Sequence, residues 1–353
     1  MSGTSDPRLY QRGPLRTIWP SPARPARRRS AAKADPEYGV PAVPSWREVD
    51  WPSVTHQAEI AGRPVNYVSL GEGHETVVFV HGLGGSWQNW LENIPAIAAS
   101  GRRAIALDLP GFGRSPMPAE PISITLFAHT VDALCDQLGL GPVHVVGNSM
   151  GGFTAAETAI RHPGRVTTLT LVDAAGITSR EIAKNPVAQH FAVTVLGGNG
   201  AATATNAEGT PRALTMMRRP AGVHAAMAIV ARHPTRLARD LLGEQLQSLG
   251  SAGFMPAMEA IFHYDFVERL PEIGCPTLIV QGEKDLLVPL GDAYEFERLI
   301  PKSTVLTFAD TGHVPMMERP AAFNAALLEF VGAEAAPHEP TAEDSPILAD
   351  GRA

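Results

Sequence analysis

Ser149, Asp285 and His313 are the residue types that nucleophilic acyl chemistry needs, and they follow one another at spacings of 136 and 28 residues. A serine hydroxyl is a poor nucleophile at neutral pH, so it needs a base within hydrogen-bond reach and an acid to orient that base. Ser149 lies in Gly147-Asn148-Ser149-Met150-Gly151, between the apolar run VHVV and the helix-compatible GFTAAETAI. On a sharp strand-to-helix turn a serine projects its hydroxyl clear of the sheet. Glycines two residues to either side remove side chains that would collide across that turn. Alone, G-x-S-x-G is a weak pattern, so its placement between strand and helix has to carry the argument.

Asp285 follows the run PTLIVQG in EKDLLVP, and His313 follows STVLTFA in DTGH, so both fall in loops at strand carboxyl ends, where doubly wound sheets place their sites. The order Ser, Asp, His is the one expected of that architecture. Asp173, at the end of TTLTLVD, is the rival acid; its alternative role is to cap the turn at which that strand ends. None of the eleven other histidines follows a core strand after the nucleophile, and His81 reads as a loop-stabilising residue. Two backbone N–H groups are placed to hold an oxyanion: Met150, next to the nucleophile, and Leu83 in VHGLGGSW, where Gly82, Gly84 and Gly85 allow close approach. In DLPGFGRSP, Asp108 is expected to hydrogen-bond the turn at the pocket rim.

These loops need strands to hang from. TVVFVH, RAIALDL, VHVVGNS, TTLTLVD, PTLIVQG and STVLTFA are too short and too continuously apolar for helices, and suit strands buried on both faces. Helix-like stretches such as ITLFAHTVDALCDQLGL and AYEFERLI lie between them, which predicts a parallel sheet covered by helices. HQAEIAG and RPVNYVSLG, joined at Gly62, read as an antiparallel hairpin on the sheet edge. From residue 178 to 265 no buried-strand run occurs, while PRALTMMRRP, AGVHAAMAIVARH, TRLARDLLGEQLQSLG and PAMEAIFHYDF all suit helices. This predicts a helical cap inserted into a core of residues 46–177 and 266–332, with a loop at LGGNGAATATNAEGT. Met216, Met217, Met227, Met255 and Met258, with Phe191, Phe254 and Phe262, would either roof an apolar pocket or pack the cap helices on one another.

At 353 residues and 44% hydrophobic content, the chain is long enough for a sizeable buried core. A net charge of −7 argues against nucleic acid and anionic membrane as partners. Residues 1–45 carry eight Lys/Arg against three Asp/Glu, a surplus of five that leaves −12 for the remainder, and read as a disordered basic Pro/Arg-rich arm. Residues 333–353 read as a disordered acidic tail. Cys135 and Cys275 form no disulfide framework and no metal-ligand pattern, which suits a reducing compartment and a cytoplasmic location.

Taken in order, VHGLGG, DLPGFGRSP, GNSMGG, GEKDLLVP and DTGHVPMMERP resemble the α/β-hydrolase superfamily over residues 57–332. The resemblance implies an α/β fold with an eight-stranded, mostly parallel sheet, a cap after the sixth strand, and Ser149, Asp285 and His313 as the triad. GNSMGG is similar to the elbow of hydrolases that cleave C–C bonds in ring-fission products, although Gly85 and Val314 stand where those enzymes show Pro and Trp. The expected activity is a serine hydrolase acting on a small to medium, apolar ester through an acyl-enzyme, as a monomer or homodimer, with no metal and no organic cofactor. C–C bond cleavage or cofactor-free perhydrolysis at the same site, or a non-enzymatic ligand receptor on the same framework, are the alternatives. A dinucleotide-binding oxidoreductase is disfavoured, because GLGGSW has Trp87 where the third fingerprint glycine belongs.

Overall fold

The structure is a computed structural model and describes residues 36–183, 220–246, 248 and 250–335. Eight strands form one sheet: β1 (Thr55–Ile60), β2 (Arg63–Leu70), β3 (Thr76–Val80), β4 (Arg103–Leu107), β5 (Val143–Asn148), β6 (Val166–Val172), β7 (Thr277–Gly282) and β8 (Ser303–Phe308). Their spatial order is β1-β2-β4-β3-β5-β6-β7-β8, and β2 alone runs against its neighbours. The β1–β2 hairpin turns at Ala61 and Gly62, both at positive φ (49° and 72°), the backbone that a two-residue connection of right-twisted strands requires. Each central run predicted as a strand is a strand.

Six helices of the core cover the two faces: α1 (Ile94–Ala99), α2 (Ile124–Gln137), α3 (Met150–Arg161), and, after the insertion, α8 (Leu290–Leu299), α9 (Pro315–Glu318) and α10 (Pro320–Ala335). Ser123 starts α2 by accepting the Leu126 N–H at 3.0 Å, a side-chain cap of a donor that the helix itself cannot satisfy. Successive strand residues feed opposite layers. Val145 joins the cluster of Phe127, Phe153 and Phe266, and Val146 joins that of Phe79, Trp90 and Phe323. Each such buried aromatic contributes about 1.5–3 kcal/mol on leaving water. Cys135 lies in the first cluster, where burial pushes its thiol up to about 12 and leaves it inert.

Between β6 and β7 the described residues hold four α-helices, two short 3-10 helices and no strand: the α-helices are α4 (Ile177–Ala183), α5 (Pro220–Met227), α6 (Arg239–Leu246) and α7 (Phe254–His263). The helix expected at PRALTMMRRP, the loop expected at LGGNGAATATNAEGT, and Phe191, Met216 and Met217 lie outside the described residues. The helix expected over 221–233 stops at Met227. Beyond it the main chain turns to pair with the His313 loop: the His313 N–H donates to Val230 O at 2.7 Å, and the Arg232 N–H to Glu318 at 2.8 Å. Met258 and Phe262 are buried in the same core cluster as Phe153 and Phe266, and Met255 is 49% exposed.

Residues 1–35 of the arm expected to be disordered lie outside the described residues, and residues 38–46 pack on the body. Tyr38 and Ala42 are buried, and the Ala42 N–H and Trp46 Nε1–H converge on the buried Glu92 carboxylate at 2.7 and 3.0 Å. A carboxylate inside the body needs donors, and the Pro-rich segment supplies them. At the other end α10 runs to Ala335, past the expected start of the tail. Among the described residues no helix is long and apolar enough to cross a membrane.

Candidate active site

Ser149 stands between β5 and α3 at φ 55°, ψ −117°, a backbone strained for any residue with a Cβ. Three main-chain bonds hold it there: its N–H donates to Val172 O at 2.9 Å, and its carbonyl accepts from Phe153 and Ala175, each at 3.1 Å. The flanking glycines are required sterically. A Cβ on Gly147 would sit 2.1 Å from Gly151 O, and one on Gly151 would sit 2.1 Å from Val80 O. The VHGLGG loop passes beside the serine, since a Cβ on Gly82 would lie 3.3 Å from Ser149 Cβ. Leu83 in that loop is half-buried, and Met150 at the start of α3 is fully buried.

His313, in the loop after β8, places Nδ1 2.7 Å from Asp285 Oδ2, with 5% and 0% of the two side chains exposed. Asp285 also accepts the N–H groups of Leu287 and Val288 at 2.7 and 3.2 Å, and Gln281 Nε2 at 3.3 Å. Asn148 ties this loop to the serine's strand, donating from Nδ2 to the carbonyls of His313 and Val172, both at 3.1 Å. Asp173 is close but oriented differently. Its Oδ1 accepts the Gly282 N–H at 2.9 Å, so it braces the end of β7 instead of capping the turn that ends its own strand. Burial, and then the neighbouring Asp285, hold its carboxyl well above the usual carboxylate range.

Supporting residues complete the frame. His81 donates from Nδ1 to Gly82 O at 2.8 Å and accepts the Leu109 N–H at Nε2 (3.0 Å), so it joins two loops as expected; complete burial pushes its imidazole towards the neutral form. Asp108 accepts the N–H groups of Trp87 and Arg114 at 2.8 and 2.9 Å, which is the turn role predicted for it. The insertion sits on these same loops: Ser248 donates to Gly84 O at 2.9 Å, Gln245 to Gln88 O at 2.7 Å, and the Gly253 N–H to Gly111 O at 3.0 Å.

Two residues were not singled out from the sequence. Glu318, five residues after His313, is fully buried and accepts the N–H groups of Gly312 (2.9 Å), Val314 (3.3 Å) and Arg232 (2.8 Å), gripping the histidine from both sides along the chain. An acid interrupting the apolar VPMM run was the available signal. Tyr38 donates its hydroxyl to the same carboxylate and accepts the His233 N–H at 2.8 Å. No local pattern marks a tyrosine 280 residues from its partner.

A doubly wound sheet with a strained serine turn after its central strand and a histidine–aspartate pair after its last two defines a class, and the comparisons agree with it. The chain belongs to the alpha/beta hydrolase fold family, whose model matches residues 75–320. It is 30% identical over 304 residues to a dihydrolipoyllysine-residue acetyltransferase component of the acetoin cleaving system of Cupriavidus necator, covering 84% of this chain and 73% of that protein. It is also 30% identical over 283 residues to 2-hydroxy-6-oxononadienedioate/2-hydroxy-6-oxononatrienedioate hydrolase 2 of Pseudomonas putida, covering 76% of this chain and 91% of the relative. Among solved structures it is similar to a serine hydrolase involved in carbazole degradation, with a TM-score of 0.61 and 25% identity over 79% of this chain and 99% of the other.

Proposed function

We propose that this chain is a serine hydrolase in which Ser149 is the nucleophile, His313 the general base and Asp285 the acid that orients it, acting on a small to medium, apolar ester. The observation that carries the reading is the 2.7 Å bond from His313 Nδ1 to Asp285, in a loop tied through Asn148 to the strained serine turn. His313 takes the Ser149 proton as Oγ attacks the substrate carbonyl, and the N–H groups of Leu83 and Met150 receive the oxyanion. Collapse expels the alkoxide, which takes the proton from His313. Water, deprotonated by the same imidazole, then attacks the acyl-enzyme and releases the acid. The chemistry uses no metal and no organic cofactor.

The likeness to the Pseudomonas putida hydrolase favours a second reading, in which the same three residues cleave a C–C bond next to a carbonyl. Hydrolysis of p-nitrophenyl esters from acetate to dodecanoate separates the two. Turnover that falls by about 10³-fold or more in Ser149→Ala and in Asp285→Asn, and only modestly in Asp173→Asn, is the expected result. If the unmodified protein is as inactive as Ser149→Ala on every ester, the ester reading fails and vinylogous diketone substrates are the next test.

A further inference from the structure

The hydrolytic mechanism leaves Asp173 without a part, yet its placement is unusual. It follows β6 at φ 44°, is 0% exposed, and no N–H or hydroxyl among the described residues reaches its Oδ2. One ligating atom from each of Asp173, Asp285 and His313 lies within 4.8 Å of the other two, which sets the two carboxyls side by side with the Asp173 side chain fully buried. Two carboxylates cannot bond to each other unless one carries a proton, because an ionised carboxylate only accepts. The donors around the pair decide which one does. Asp285 receives Leu287, Val288, Gln281 and His313, whereas Asp173 receives Gly282 alone. Among the described residues, Asp285 and His313 lie against Asp173, and Asp285 and Glu318 both push its carboxyl towards the neutral form. Ionised, it would be a second buried anion beside the first, with one imidazole to serve both.

We propose that Asp173 is a neutral carboxylic acid whose O–H donates to the Asp285 carboxylate, a positioning residue that acts on His313 through Asp285; the role rests on the reading of the triad above. The donated hydrogen bond holds the Asp285 side chain in the orientation that meets Nδ1. It also spreads the carboxylate charge, which moderates the pull that Asp285 exerts on the Nδ1 proton of His313.

The test uses the full chain and needs no substrate. An infrared difference spectrum, unmodified protein minus Asp173→Asn at neutral pH, is expected to contain a protonated-carboxyl C=O band; a difference containing only carboxylate bands would overturn the proposal. The second readout is the titration midpoint of the imidazole NMR signal that His313→Gln removes. In Asp173→Asn the amide N–H replaces the O–H and the midpoint stays within about 0.3 units, whereas losing a buried anion would lower it by about one unit or more. In Asp173→Ala the donor is gone and the midpoint rises; an unchanged or lower midpoint there counts against the hydrogen bond. Ester turnover unaffected by Ser149→Ala would sink the functional reading alone, since both spectroscopic results stand apart from activity.

Discussion

Glu318 and Asp173 are two fully buried acids close to His313, and the structure furnishes them in opposite ways. Glu318 collects donors from four residues, Tyr38, Arg232, Gly312 and Val314, over its two oxygens. Among the described residues Asp173 collects one, from Gly282, and keeps an oxygen without a donor. Burial raises both carboxyls, but at Glu318 every bond pulls back towards the ionised form, while at Asp173 the neighbouring Asp285 pushes further towards the neutral one. The contrast separates two uses of a buried acid. A fully satisfied one fixes the main chain around the histidine; a half-satisfied one responds to the charge beside it.

The contrast is broken most directly at Glu318. Glu318→Gln replaces one acceptor oxygen with an N–H that faces other donors, so urea unfolding should show a loss of about 2–4 kcal/mol, and a loss below about 1 kcal/mol would mean the four bonds do not hold the loop. Asp292 sharpens it as a third case. Buried at the start of α8, it accepts the N–H and the hydroxyl of Thr178, at the entry to the insertion, and its carboxyl is pushed up to about 7 from 3.8. The native state then holds the proton more tightly than the unfolded chain, so this group's contribution to stability is complete below about pH 4 and is lost as pH rises to about 7. Asp292→Asn stays neutral and can keep both Thr178 bonds, because the threonine oxygen can accept as well as donate. It should therefore be more stable than the unmodified protein at pH 8 by about 1–3 kcal/mol, with that advantage gone at pH 4.

Smaller effects are expected at the two edges of the comparison. Tyr38→Phe removes one of the donors to Glu318 and the acceptor of the His233 N–H, a loss of about 1–2 kcal/mol in unfolding free energy. A change within error would show that the N-terminal segment merely lies against the body. Asp173→Asn exchanges one neutral group for another and should alter stability at pH 7 by less than about 1 kcal/mol. If it costs as much as Glu318→Gln, the two carboxyls are not different in kind.

The sheet was legible in the sequence because its central strands are buried on both faces, so each shows as a short continuous apolar run whatever lies around it. The serine turn was legible for a related reason. Gly147 and Gly151 are dictated by collisions within a few residues of Ser149 and with the adjoining strand, and local collisions leave local patterns. The helix predicted over 221–233 failed where distant chain intervened: residues 230–232 bond to the His313 loop, and helix propensity does not see that competition. Tyr38 was hidden the same way, inside a Pro-rich stretch whose composition reads as unstructured.

By itself, then, the sequence determined where along the chain the central strands lie, the turn that presents Ser149, and the two loops in which a base and an acid could lie, all consequences of hydrophobic periodicity and short-range sterics. Only the tertiary structure decided which aspartate meets His313, because Asp173 and Asp285 both follow buried strands and differ just in how β6 and β7, side by side, aim them. It also decided what the other aspartate is left with: a buried oxygen that no donor among the described residues reaches, a condition set by burial and distances of a few ångströms between segments more than a hundred residues apart.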